Sequence, residues 1–154
     1  MRETRSPQRT TPRVIGYLTT GIDQDISHAI WAGALDAARK HEVGLVTFIG
    51  GVLRDPVGFD AQANIAYSLG SARLDGLFTW ASSIGGMVNP ADMLAFHRRY
   101  DMPTVSLALP LPGTPSLMVD SYHGMREMLV HLVEVHGYRR IAFVRGPETH
   151  YYVH

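Results

Sequence analysis

The chain has 154 residues, 45% hydrophobic and 18% charged, which suffices for one buried core and is ordinary for a globular domain. Lys+Arg and Asp+Glu are equal at 14 each, so the formal net charge is +0 and the balance suggests no broad attraction to nucleic acid or to an acidic membrane. Cysteine is absent, which excludes a disulfide framework, a thiolate metal site and a cysteine nucleophile.

Residues Met1 to Pro12 are polar, with Pro7 and Pro12, and read as a disordered arm. Arg2, Arg5 and Arg9 are the basic residues there, but no uninterrupted apolar stretch follows them, so the segment does not read as a secretory signal. No run approaches the roughly 20 apolar residues that span a bilayer. The expected location is cytoplasmic.

From Arg13 onward two textures alternate. Val14 to Leu18 is a short apolar run of the kind buried on both faces of a parallel sheet. A polar loop follows to Asp25, and Ser27 is a cap candidate for a helix whose Ile30, Ala34, Ala37, Ala38 and His41 share one face. Gly44 to Ile49 reads as a second strand ended by Gly50-Gly51. A helix is expected from about Asp60 to Leu69 with Ile65, Ala66 and Leu69 inward. Gly76 to Trp80 reads as a third strand. Asn89-Pro90 opens a helix in the manner of a proline in a first turn, with Met93, Phe96, His97 and Tyr100 on one side. Thr104 to Ala108 is a fourth strand, and Ser116 to Val119 a short fifth. Ser121 to Val135 is a helix with Met125, Met128, Leu129, Leu132 and Val133 as its buried stripe. Ile141 to Val144 is a last strand. Strands alternating with helices imply an α/β fold, an open parallel sheet with helices on both faces, joined by right-handed crossovers.

In such a sheet, ligands bind beyond the carboxyl ends of the strands. The polar groups falling there are Asp23, Asp25, Ser27, Ser82, Ser83, Asp120 and His123, with Trp80 at the edge. Carboxylates that accept from hydroxyls, beside a flat ring that stacks on a CH face, suit a polyol. Asp25, Ser27, Trp80, Ser83 and Asp120 are therefore the ligand-binding candidates. Each also has a purely structural reading: Asp25, Ser27 and Asp120 as helix caps, Trp80 as core. Catalytic signatures are missing. There is no G-x-G-x-x-G, no phosphate-binding G-x-x-x-x-G-K, and Ala81-Ser82-Ser83-Ile84-Gly85 lacks the first glycine of a nucleophile elbow. No enzyme activity, cofactor or metal is expected. His131 and His136 are five apart, hence on different helix faces, and His150 and His154 lack a third ligand.

Three stretches resemble the LacI/GalR regulators and the related type I periplasmic sugar-binding proteins. They are Val14 to Leu18 with Ala32 to Ala38; Arg73-Leu74-Asp75-Gly76-Leu77-Phe78; and Pro103-Thr104-Val105, Val119-Asp120, His131 to Glu134 and Gly137 to Pro147, which match the family's I-P-V-V, V-D-N and H-L-I-E-L-G-H-R-R-I-A-F-I-x-G-P. The resemblance spans nearly all of Arg13 to Pro147. It implies the N-terminal lobe of a two-lobed ligand-sensing domain over residues 13–154, closing on a sugar-like effector and forming a homodimer. Only Met1 to Pro12 precedes the lobe, so DNA contact is expected only through a module outside this chain. The chain is expected to hold about half of the family's binding site. Sensor domains of this kind also serve as input modules of cytoplasmic kinases or cyclic-dinucleotide synthases, and the periplasmic transport proteins share the fold. Both stand as alternatives, as does a hydrolase built on the same sheet.

Overall fold

The structure is a computed structural model and describes residues 12–57, 65–71 and 73–144. The arm expected over residues 1–12 lies almost wholly outside the described residues, as do His150 and His154. The elements run β1 (Val14–Thr19), α1 (Asp25–Lys40), β2 (Gly44–Ile49), α2 (described over 65–68), a 3-10 turn (Leu69–Ser71), β3 (Gly76–Thr79), α3 (Ala81–Ile84), α4 (Pro90–His97), β4 (Thr104–Leu107), β5 (Ser116–Leu117) and α5 (Ser121–Glu134). The five strands form one sheet in the order β2-β1-β3-β4-β5. Every pairing is parallel, with Tyr17 opposite Thr47 on β2 and Phe78 on β3.

Strand periodicity divides the sheet into two faces. On one face Leu18 and Leu77 meet Met93 and Phe96 of α4, Ile84 of α3 and Tyr67 of α2, all buried, together with Tyr100, Leu109 and Leu111. Gly16 lies beneath this layer: a Cβ there would stand 2.6 Å from Leu74 Cδ1 and 2.7 Å from Leu77 Cδ1. Asn89 caps α4 by accepting from the Asp92 amide at 2.9 Å, with Pro90 in the first turn. Met93, Phe96, His97 and Tyr100 are inward, as the helical spacing requires. In α2 the phase differs from the expectation. Ala66 packs against the core, but Ile65 and Leu69 are exposed and Tyr67 is buried in their place. Tyr67 has the larger apolar area to bury and a hydroxyl that finds carbonyl partners.

The other face carries Ile15, Leu45, Phe78, Val105, Leu107 and Leu117, and α1 covers only part of it. Tyr17 and Phe78 stack there with centroids 4.4 Å apart at 10°. The stripe expected from α1 is the one presented: Ile30, Ala34, Ala37, Ala38 and His41 form the second wall of an apolar groove of about 430 Å³. Small side chains on that stripe leave room rather than fill it.

The last elements depart from expectation. Asp120 caps α5 by accepting from the His123 amide at 3.0 Å, and the helix then leaves the sheet. No residue of α5 is buried; Met125, Met128, Leu129 and Val133 are exposed, and only Leu132 is half-buried. Residues Ile141 to Val144, expected as a strand, pair with nothing in the sheet, and Phe143 and Val144 are exposed. β5 is two residues long and ends the sheet. Among the described residues no element covers the α5 stripe.

Candidate functional site

The strand order contains one reversal. The chain passes from β1 outward to β2, then returns across β1 to β3 and continues to β5. The loops leaving the carboxyl ends of β1 and β3 therefore diverge from adjacent strands, which opens a crevice at that point in α/β sheets.

Hydrogen bonds hold the rim of this crevice. The Trp80 amide donates to the Leu18 carbonyl at 2.9 Å and the Gly50 amide to the Thr19 carbonyl at 3.1 Å. The Tyr67 hydroxyl lies 3.0 Å from the Thr19 carbonyl and 2.6 Å from that of Gly51, tying the β1 loop to the β2 loop. Burial pushes the Tyr67 phenol well above its ordinary range, so it stays a neutral donor. Gly50 makes that tie possible, because a Cβ there would stand 2.6 Å from Tyr67 Cζ. The Leu53 amide donates to the Ile84 carbonyl at 2.9 Å, joining the β2 and β3 loops. Across the crevice, the hydroxyls of Thr20 and Ser83 are 2.6 Å apart.

The five candidates fall into two groups. Asp25 is the first residue of α1 and exposed. Its carboxylate sits at the positive end of the helix dipole. Ser27 is buried at the third helical position, not at the cap, which is Gln24. Its hydroxyl donates to the Gln24 carbonyl at 2.8 Å and accepts from the Gln24 amide at 3.1 Å. Trp80 is half-buried and precedes α3, directly above β3, and Ser83 is half-buried one turn later. These four share the β1 and β3 loops. Asp120 stands apart: it follows β5, two strands beyond β3, or about 10 Å across the sheet. Its carboxylate is engaged at the α5 cap, and it is exposed.

Thr20 and Tyr67 are the rim residues that sequence reasoning did not single out. Thr20 has no signal beyond its position in the first loop, since its partner is 63 residues away. Tyr67 lies in a helix whose local pattern points to Ile65 and Leu69 as the inward residues instead. Beside the crevice, Arg54 of the β2 loop reaches Asp92 of α4 at 2.8 Å over a cavity of about 260 Å³ lined also by Phe96 and Arg99. Among the described residues no three His, Asp or Glu side chains converge as metal ligands. No described helix is long and apolar enough to cross a membrane.

No family model matches the chain, and no curated protein does. Among solved structures, the transcription regulator CcpA of Lactococcus lactis matches with a TM-score of 0.62 at 16% identity, over 86% of this chain. The chain spans less than half of that protein, 45% of its length. The open parallel α/β sheet is thus a fold shared with part of a known transcription regulator. At this identity the likeness shows the fold, and the chemistry of the rim must be argued from its own residues.

Proposed function

We propose that the chain is part of a ligand-sensing domain of a LacI-type transcriptional regulator, its residues up to β5 forming one lobe, and that it binds a sugar or similar polar metabolite at the crevice between the β1 and β3 loops. The observation carrying this reading is the meeting of Thr20 and Ser83 at the one topological reversal of the sheet. Two hydroxyls, and the Asp25 carboxylate and Trp80 ring borne by the same two connections, supply donors, acceptors and a stacking face suited to a polyol. The shared fold with a transcription regulator supports a sensing rather than a catalytic role. No catalytic nucleophile–base pair is assigned among these residues.

In this reading Ser27 is a positioning residue. Its bonds to Gln24 set where α1 begins and so where Asp25 stands. Asp120 would contact ligand only from the far side of the crevice. The exposed stripe of α5 supports placing that helix, with residues 135–144, in a second lobe that covers the ligand. Closure of two lobes about the Met118–Asp120 connection would relay binding to a partner copy in the cytoplasm.

Calorimetric titration of the protein expressed from its own gene, against a panel of monosaccharides and sugar phosphates, tests the reading. For the ligand found, Ser83→Ala and Asp25→Asn are expected each to weaken binding about tenfold, the effect of one lost hydrogen bond to a charged or polar group. Unchanged affinity in both variants places the site elsewhere. Conversion of the sugar to product makes the protein an enzyme.

A further inference from the structure

We propose that His131 and His136 form a chelating pair for a divalent transition metal ion of the zinc and copper class. Their spacing alone argues otherwise, because five residues along an ideal helix place two side chains on different faces. The end of α5 overturns that expectation. The amides of Val135 and His136 both donate to the His131 carbonyl, at 3.0 and 3.4 Å, and the Tyr138 amide reaches back to the Leu132 carbonyl at 3.1 Å. Gly137 between them has φ of +68°, a left-handed conformation that glycine adopts without strain. The chain therefore turns back over its own last turn, and the two imidazole Nε2 atoms come within 3.1 Å. Tyr138 stacks on His136 with centroids 5.5 Å apart at 14°.

A 3.1 Å separation suits either a hydrogen bond between neutral rings or two lone pairs directed at one ion. The rings cross at 77° with centroids only 4.8 Å apart, so they are tipped together rather than aligned end to end through their nitrogens. An ion about 2.0–2.1 Å from each nitrogen would subtend an angle of about 98° at this separation, between the octahedral and tetrahedral values. Both histidines are exposed and open to an ion from solution. On the same helix His123 pairs with Glu127 at 3.1 Å, and no third carboxylate or imidazole joins the His131–His136 pair among the described residues. Water completes the shell, and the site is an open one of modest affinity. Imidazole donors select zinc, copper and nickel over magnesium and calcium.

Calorimetric titration of the full 154-residue chain with zinc chloride at neutral pH, and with magnesium chloride beside it, is the test. The expected result is one zinc per chain and no magnesium binding. His131→Ala and His136→Ala are each expected to lower zinc affinity at least about tenfold, since each removes one arm of a chelate. His123→Ala, on the same helix, is expected to leave it unchanged. Gly137→Ala retains both imidazoles but strains the reversal, and weakens binding if the turn preorganises the pair. Zinc affinity equal in the wild type and in the double variant H131A/H136A overturns the proposal. So does an H123A loss as large as that of either member of the pair. In case a variant fails to fold, imidazole NMR of the wild type gives a second reading. The His131 and His136 resonances are expected to shift together on adding zinc, and shifts confined to other histidines overturn the proposal.

Discussion

His97 is a buried imidazole at the end of α4, 4% exposed, with Nε2 2.7 Å from the Thr79 hydroxyl and Nδ1 without a hydrogen-bond partner among the described residues. Burial disfavours its charged form and lowers its pKa from 6.5 to about 4. The folded value lies below the unfolded one, so as pH falls the unfolded chain takes the proton first. The stability tied to the neutral ring is complete above the unfolded pKa and is lost as pH falls from 6.5 toward about 4. The loss amounts to roughly 3 kcal/mol. Urea midpoints of the wild type are expected to drop through this window, and His97→Gln is expected to flatten that part of the profile. Equal slopes in the two proteins would show that another group carries the acid sensitivity. At this scale the sequence was partly legible. It placed His97 on the inward side of its helix, but its pairing with Thr79, like that of Thr20 with Ser83, joins distant segments and leaves no local pattern.

Helices α4 and α5 both carry apolar residues at helical spacing and have opposite environments. Met93 and Phe96 of α4 lie in the core, whereas Met125 and Leu129 of α5 face solvent. Met93→Ala is expected to cost about 2–5 kcal/mol, a transfer term plus a cavity. In the 154-residue chain by itself, Leu129→Gln, which keeps good helix propensity, is expected to change stability by less than about 0.5 kcal/mol. Urea unfolding of the two variants measures both. A Leu129→Gln cost similar to that of Met93→Ala would mean that α5 is packed in solution. Periodicity reports that a helix has an apolar face; it does not report what that face meets.

The molecule as a whole is asymmetric across its sheet. The α3 and α4 face is closed over a continuous core, while the α1 face keeps an open apolar groove between α1 and β1, β3, β4 and β5. The lining of this groove is almost wholly apolar. It is expected to bind a hydrophobic fluorescent dye, and Ala34→Glu, which places a carboxylate in the wall, is expected to quench that binding while Leu129→Gln leaves it intact. The reverse pattern would place the dye on α5.

What the sequence determined by itself is the order and type of most of the elements. Short apolar runs alternating with 3.6-period stripes require parallel strands and crossover helices, and β1 to β5, α1 and α4 all lie where those local patterns put them. The candidate residues Asp25, Trp80 and Ser83 were reachable in the same way, because a parallel sheet directs the loops after its strands to one edge. Tertiary structure alone decided the rest. It set the strand order that makes β1 and β3 neighbours and puts Asp120 two strands away from them. It took the Ser27 hydroxyl into the start of α1, left α5 and residues 141–144 off the sheet, and folded His136 back onto His131. The physical reason is common to all of these. Local patterns are set by backbone geometry within a few residues, whereas pairing, burial and convergence depend on which surfaces meet, and that is settled only when the whole chain competes for them.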